Sequence, residues 1–328
     1  MTFIDDHSLL ITEKSGRILK INTTTGNITN IKHNINSTKS GKNPFSNGQG
    51  GLLDILYHKG FLYISYSQID KNNLLSNRNN LYGSTAIVRG KLIGDEIKEL
   101  QNLFTSIPPL KMNKHWGSRI IIKDEYLYAS FGDRGLGMIA QDPSKHPGSI
   151  IRINLDGTIP IDNPKFGKYK TWSPEIYQIG FRNPQGLTLS PFDNEIYFSQ
   201  HGPRGGDNFG KVVYGGNLGW KEVAWGGTEY YGVKIGDTPF NDKFNKPILS
   251  WVPSIGVGQI GFYKGRTFNE WNGDLLCTGA KYGLLIRLVY KNKKVLKKEV
   301  LIKDKIGRIR DFEIDKKGDI YIIVDEKD

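Results

Sequence analysis

The amino-acid sequence predicts an all-β fold: a six-bladed β-propeller of four-stranded antiparallel blades, as a single domain over residues 1–328. Three observations predict it. One strand signature recurs six times, its spacing suits one four-stranded sheet per copy, and no segment reads as an amphipathic helix of three turns. The signature is a small polar or Gly turn, two large residues, then a Ser or Thr two places after the second.

It occurs at His7-Ser-Leu-Leu-Ile-Thr12, Gly60-Phe-Leu-Tyr-Ile-Ser65, Glu125-Tyr-Leu-Tyr-Ala-Ser130, Asn194-Glu-Ile-Tyr-Phe-Ser199 and Gly273-Asp-Leu-Leu-Cys-Thr278. A sixth copy, Gly318-Asp-Ile-Tyr-Ile-Ile323, keeps the turn and strand and loses the hydroxyl. Partner strands follow four of the copies, at Gly16–Ile21, Ser84–Arg89, Ser149–Ile153 and Tyr282–Leu288, all β-branched or alternating and bounded by Gly, Asn or Asp turns. A β-sandwich has no cause to repeat one turn and strand six times. The terminal blades are expected to be short of strands: the first copy starts almost at Met1, and the last runs out at Asp328. Either the ends pair in a reduced way or the chain is a piece of a longer one.

The single cysteine, Cys277, excludes an internal disulfide. No stretch reaches the roughly 18–20 apolar residues that span a bilayer, so a soluble protein is expected. No signal peptide is visible at the N-terminus. Forty-five basic against 33 acidic residues give a net charge of +12, which favours anionic partners. Runs such as Lys291-Asn-Lys-Lys are expected to be solvated edge charges, and nucleic-acid binding rests on net charge alone.

Two polar loops carry the candidate chemistry. Asn113-Lys-His-Trp-Gly-Ser-Arg119 is followed one strand later by Gly132-Asp-Arg-Gly135. His115 at the start of one strand and Asp133 at the end of the next can meet, as a general base oriented by a carboxylate does. Taken alone, His115 also reads as an ordinary loop histidine. The second loop is Ile179-Gly-Phe-Arg-Asn-Pro-Gln-Gly186 with Gln200-His-Gly-Pro-Arg-Gly-Gly-Asp207. Gly-Pro exposes carbonyl oxygens that suit a hard cation, and it equally makes a tight turn with no ligand. Lys281 follows the fifth signature, and Arg308 and Arg310, two apart on one strand, should face the same way.

His-x-Gly-x-Arg, Gly-Asp-x-Gly, Gly-x-Arg-Asn-Pro-Gln-Gly and His-Gly-Pro-x-Gly-Gly-Asp, in this order, resemble the PQQ-dependent soluble glucose/aldose sugar dehydrogenases, the glucose/sorbosone dehydrogenase family. Gly48-Gln-Gly-Gly-Leu-Leu-Asp54, Gly148–Gly157 and Asn217-Leu-Gly-Trp220 support the match, which runs along essentially the whole chain. The resemblance implies pyrroloquinoline quinone (PQQ) over a calcium ion, a sugar substrate and an external electron acceptor. By motif, His115 is the base, Asp133 holds its imidazole, and Arg182 acts on developing charge. Gln49, Arg182, Asn183, Lys281, Arg308 and Arg310 contact the cofactor; Gly202 and Pro203 offer carbonyls to the metal, with Asp207 nearby. A periplasmic or secreted location is also implied.

The chain departs from the family pattern at Asn208, where an acid is usual, and at Gly256-Val-Gly-Gln259. Gln141 stands as a weak match for a cofactor-side glutamine. Two other readings compete. A calcium-dependent propeller lactonase needs carboxylates converging on a metal, where this chain offers mostly cations. A binding platform for a glycan or protein has no need of His115, Asp133, Arg182, Lys281 and both arginines together.

Overall fold

The structure, a computed structural model, describes residues 1–35, 46, 48–70, 82–111 and 113–325. Among them the elements are strands and short 3-10 turns, with no α-helix. The chain falls into two compact units, Met1–Tyr177 and Gln178–Asp328.

In the first unit, one sheet runs Thr2–Phe3, Ser8–Thr12, Ile18–Asn22, Ile28–Ile31 and a second runs Leu52–His58, Phe61–Ile69, Gly83–Ile93, Glu96–Thr105, each in chain order. A third is built on Gly117–Lys123, Tyr126–Phe131 and Ser149–Asn154. The strand Ile176–Ile179 crosses from one unit to the other, and its second half pairs in parallel with Gly216–Asn217. The second unit holds a sheet of Pro184–Leu189, Ile196–Gln200, Asp207–Lys211 and Leu249–Trp251. Another follows from Val257–Phe262, Leu275–Gly279, Leu284–Lys291 and Lys294–Ile302. Four of these sheets are four-stranded and antiparallel, and with the third they form the blades of an all-β propeller.

Among the described residues the blades number five, not the six expected. The sixth signature copy does form a strand, Ile320–Asp325, but its sheet contains only that strand and Arg308–Ile314. A strand signature marks one strand; how many neighbours it acquires depends on what else lies beside it. Among the described residues nothing further pairs here. The N-terminal Thr2–Phe3 pairs with Ser8–Thr12 in the first sheet.

The signature has a physical cause. Every copy is the second strand of its sheet, and alternate residues face opposite sides. In Phe61–Ile69, Leu62, Ile64 and Tyr66 pack toward the first sheet's Leu10 and Ile18. Tyr63 packs the other way, against Ile120, Leu127 and Ile151 of the third. The hydroxyl two places on from Tyr63 shares that second face. Ser65 Oγ donates to the Ser118 carbonyl of the next sheet at 2.7 Å. Thr12 does the same to Leu53 at 3.3 Å, and Ser199 to Gly258 at 2.5 Å.

Each acceptor lies in a bulge, where the first strand slips register against the second: between Leu52 and Asp54, Gly117 and Ile120, Val257 and Ile260. A bulge frees a carbonyl from its own ladder, and a buried carbonyl needs a donor. The preceding sheet's hydroxyl supplies it. In the fifth copy the Thr278 hydroxyl is buried without a partner.

The stitch makes a paired prediction. Ser65→Ala should lower stability by about 1–3 kcal/mol, because it orphans the Ser118 carbonyl and the Asp54 N–H that Ser65 also accepts at 3.0 Å. Thr278→Val should be near neutral. Urea midpoints at constant m-value check both, and equal effects would remove the stitch as the cause of the motif.

Cys277 lies on the opposite face from Thr278, wholly buried in the core with Val257, Ile260 and Leu275. Burial pushes its thiol up to about 12, so it is a core residue and not a nucleophile.

Candidate functional site

Each unit holds one constellation. In the first, Gly117 sits opposite Phe131 at the open end of the third sheet. Its φ is +66°, and a Cβ there would meet Gly132 N at 2.6 Å, so only glycine lets the two strand ends close. That closure brings His115 and Asp133 together. His115 Nδ1 lies 2.7 Å from Asp133 Oδ1. Oδ1 also accepts the Gly135 N–H at 2.7 Å, and Oδ2 accepts the Gly137 N–H at 3.2 Å. A carboxylate fixed on three sides sets the histidine's tautomer: Nδ1 carries the proton and donates, leaving the Nε2 lone pair as base.

Gln49, placed by resemblance at the cofactor, accepts the His115 backbone N–H on Oε1 at 2.8 Å. Its own N–H donates to the Asn113 carbonyl at 2.9 Å. It therefore ties its loop to the base. Gln141 ends the 3-10 turn Gly137–Gln141. Asp133→Asn should cut turnover by about 100-fold or more, since the amide can present N–H to Nδ1 and favour the wrong tautomer. Steady-state rates with cofactor affinity measured in parallel check this.

In the second unit, a cavity of about 800 Å³ is lined by Gly202, Pro203, Asp207, Lys281 and Arg308, all singled out in the sequence, and by Arg204, which was not. Gly202 cannot carry a side chain, because a Cβ would stand 2.4–2.6 Å from the Gly205–Asp207 backbone. The cavity's one carboxylate is committed elsewhere. Asp207 Oδ1 accepts the Gly202 N–H at 2.8 Å, while Oδ2 accepts those of Ile255 and Val257 at 3.0 and 2.9 Å. Three cations thus face the space with their charge largely unanswered from within. Partial burial, then the neighbouring Arg310, pulls the Arg308 guanidinium down, with Asp325 opposing. Lys281 Nζ rides over the Tyr282 ring at 4.9 Å.

The remaining predicted residues lie off this cavity. Arg182 is buried, its Nη1 donating to the His201 carbonyl at 3.3 Å and its guanidinium 5.4 Å from the Trp220 ring centre. Its backbone N–H reaches Gln200 Oε1 at 2.8 Å, and Gln200 in turn donates to Asn208 Oδ1 at 3.3 Å. The asparagine that replaces an acid thus completes a neutral amide chain that seats Arg182. Asn183 is buried and accepts the Gln185 amide at 3.0 Å. Arg310 shares the solvent side of its strand with Arg308, as alternation required, and its Nε pairs with Asp325 at 2.5 Å.

Arg204 fills the variable position of His-Gly-Pro-x-Gly-Gly-Asp. The same count of cations that picked out Lys281 and Arg308 would have found it. Tyr230 and Ser254, which also line the cavity, carry no comparable signal.

A cavity of this size is that of a small organic ligand, and three cations select a polyanion. Their charge matches that of a tricarboxylate such as PQQ. Calcium by itself does not fit, because it takes six to eight oxygens. Among the described residues no three His, Cys, Asp or Glu side chains gather. Asp207 is spent on N–H groups, and the Pro203 carbonyl already accepts from Gly205 at 3.0 Å.

The chain is similar to known proteins over most of its length. The chain is 29% identical to the aldose sugar dehydrogenase of Escherichia coli (strain K12), over 98% of this chain and 85% of that one. It is 29% identical to quinoprotein glucose dehydrogenase B of Acinetobacter calcoaceticus, over 67% and 49% respectively. A crystal structure of a glucose dehydrogenase matches with a TM-score of 0.89 at 28% identity, covering 99% of this chain and 92% of that one. The family model for glucose/sorbosone dehydrogenases matches residues 1–328, and the chain belongs to that family.

Proposed function

We propose that the protein is a quinoprotein aldose dehydrogenase, which oxidises the anomeric carbon of a sugar to the lactone. The observation that carries this reading is the buried His115–Asp133 pair, whose 2.7 Å contact at Nδ1 favours the tautomer that leaves Nε2 as the base. The relatives support it: one is named an aldose sugar dehydrogenase and another a quinoprotein.

PQQ, when bound, supplies the acceptor for the hydride that leaves the sugar's C1. The chain's own residues do the rest. His115 Nε2 takes the proton of the anomeric hydroxyl as the C1–H bond breaks, and Asp133 stabilises the imidazolium that forms. Lys281, Arg308 and Arg204 hold carboxylates, the arginines by their forked donors. Arg182, seated by Gln200, supplies positive charge as negative charge develops. Calcium belongs to the reading only together with the bound polyanion, whose oxygens would complete its coordination. An external electron acceptor and a periplasmic or secreted location belong to the same reading.

The lactonase alternative lacks its carboxylate cluster among the described residues. No helix among them is long and apolar enough to cross a membrane. The test is reconstitution with PQQ and Ca²⁺, followed by aldose-dependent reduction of an artificial acceptor. Activity that requires both sugar and cofactor is expected; cofactor binding with no oxidation of any aldose would leave a binding platform instead.

A further inference from the structure

Arg134 directly follows the carboxylate that holds His115, and its side chain touches the residues on both sides of that histidine. Nε donates to the carbonyl of Lys114, the preceding residue, at 3.1 Å. The guanidinium lies over the ring of Trp116, the following residue, with its carbon 3.2 Å from the ring centre. Nη1 donates to the Gly83 carbonyl at 3.0 Å, which anchors the group to the second sheet. Arg134 and Trp116 are 3% and 2% exposed. Burial pulls the guanidinium down to about 9, against the pull of Asp133, so it stays cationic at neutral pH.

A buried guanidinium is costly, and a plain β-turn does not need one. What lies between its contacts does need holding. His115 has φ +54°, and Arg134 itself +54°. Left-handed backbone at such residues persists only where the surroundings over-determine it, and it clusters at functional sites. With Gln49 taking the His115 N–H and Asp133 the ring, Arg134 supplies the missing restraint on the carbonyl before and the indole after.

We propose that Arg134 is a positioning residue for the His115 base, holding the left-handed turn that aims Nδ1 at Asp133. The proposal rests on the reading of His115 as base. A misplacement of about 1 Å at such a group is worth up to ~100-fold in rate.

The test uses Arg134→Ala and Arg134→Lys in the full chain, first without cofactor. The downfield proton resonance of His115 Nδ1–H, identified by its loss in His115→Ala, reports the contact with Asp133. It should broaden or vanish in Arg134→Ala and shift in Arg134→Lys, which keeps the charge but cannot both stack and donate as a fork. In reconstituted enzyme kcat should fall about 10- to 100-fold, with KM for sugar and PQQ affinity within about threefold. If Arg134→Ala does not fold, Arg134→Lys carries the test. An unshifted resonance with kcat within about threefold in the folded variants overturns the proposal. A perturbed resonance in a chain that oxidises no sugar would sink the dehydrogenase reading and leave the clamp standing.

Discussion

His115→Ala should bind PQQ as tightly as the parent chain, within about threefold, and turn over sugar roughly 100- to 10,000-fold more slowly. The separation follows from where the residue sits. His115 belongs to the first unit's constellation, where Asp133 and Gln49 hold it. The cationic cavity is lined by the second-unit residues Arg204, Lys281 and Arg308. Loss of the base therefore removes an interaction made during proton transfer and spares ligand affinity, so kcat and kcat/KM should fall together. Cofactor titration by fluorescence, with steady-state rates on the same preparation, separates the two. Unchanged turnover would remove His115 as the base, and loss of cofactor affinity would place it in the binding site instead.

Arg308→Ala and Lys281→Ala should show the opposite pattern. Hydrogen bonds between charged groups contribute about 1.5–3 kcal/mol, so each single change should weaken PQQ binding about 10- to 100-fold. Arg308 is exposed on its strand and Lys281 projects from a turn, so thermal stability should hardly move. Salt gives a second readout. A cavity that answers carboxylates with cations loses affinity as ionic strength rises, and each variant should flatten that dependence. Equal affinity in parent and double variant would show that the polyanion binds elsewhere. Arg204 provides a graded comparison, since its guanidinium has no hydrogen-bond or ion-pair partner among the described residues and lines the same space.

Much of this was legible in the residues because local chemistry repeats. The hydroxyl two places after a large residue marks the face that meets the next sheet, and it recurs because bulge carbonyls recur. His115 and Asp133 could be paired from sequence because one stands at the start of a strand and the other at the end of the next. Other features depend on partners far along the chain. Nothing near Asp207 announces that its oxygens are taken by N–H groups of Ile255 and Val257, about 50 residues on. That is why it reads as a metal neighbour in the sequence and as a backbone anchor in the structure. Arg134 occupied a position that motif comparison treats as variable, and its role emerges only when its contacts to Lys114, Trp116 and Gly83 are seen together. The blade count failed for a related reason. Gly318–Ile323 is a sound strand signature, but it does not say that Arg308–Ile314 is its one neighbour among the described residues.

The central claim is that this chain takes a hydride from an aldose onto PQQ with His115 as base. Anaerobic single turnover tests it most directly: PQQ-loaded protein is mixed with an aldose, and the cofactor spectrum is followed without any acceptor. The account predicts reduction of the bound cofactor by sugar, slowed severalfold when the anomeric hydrogen is deuterium and nearly abolished in His115→Ala. A cofactor that binds and stays oxidised in the presence of every aldose tried would contradict it.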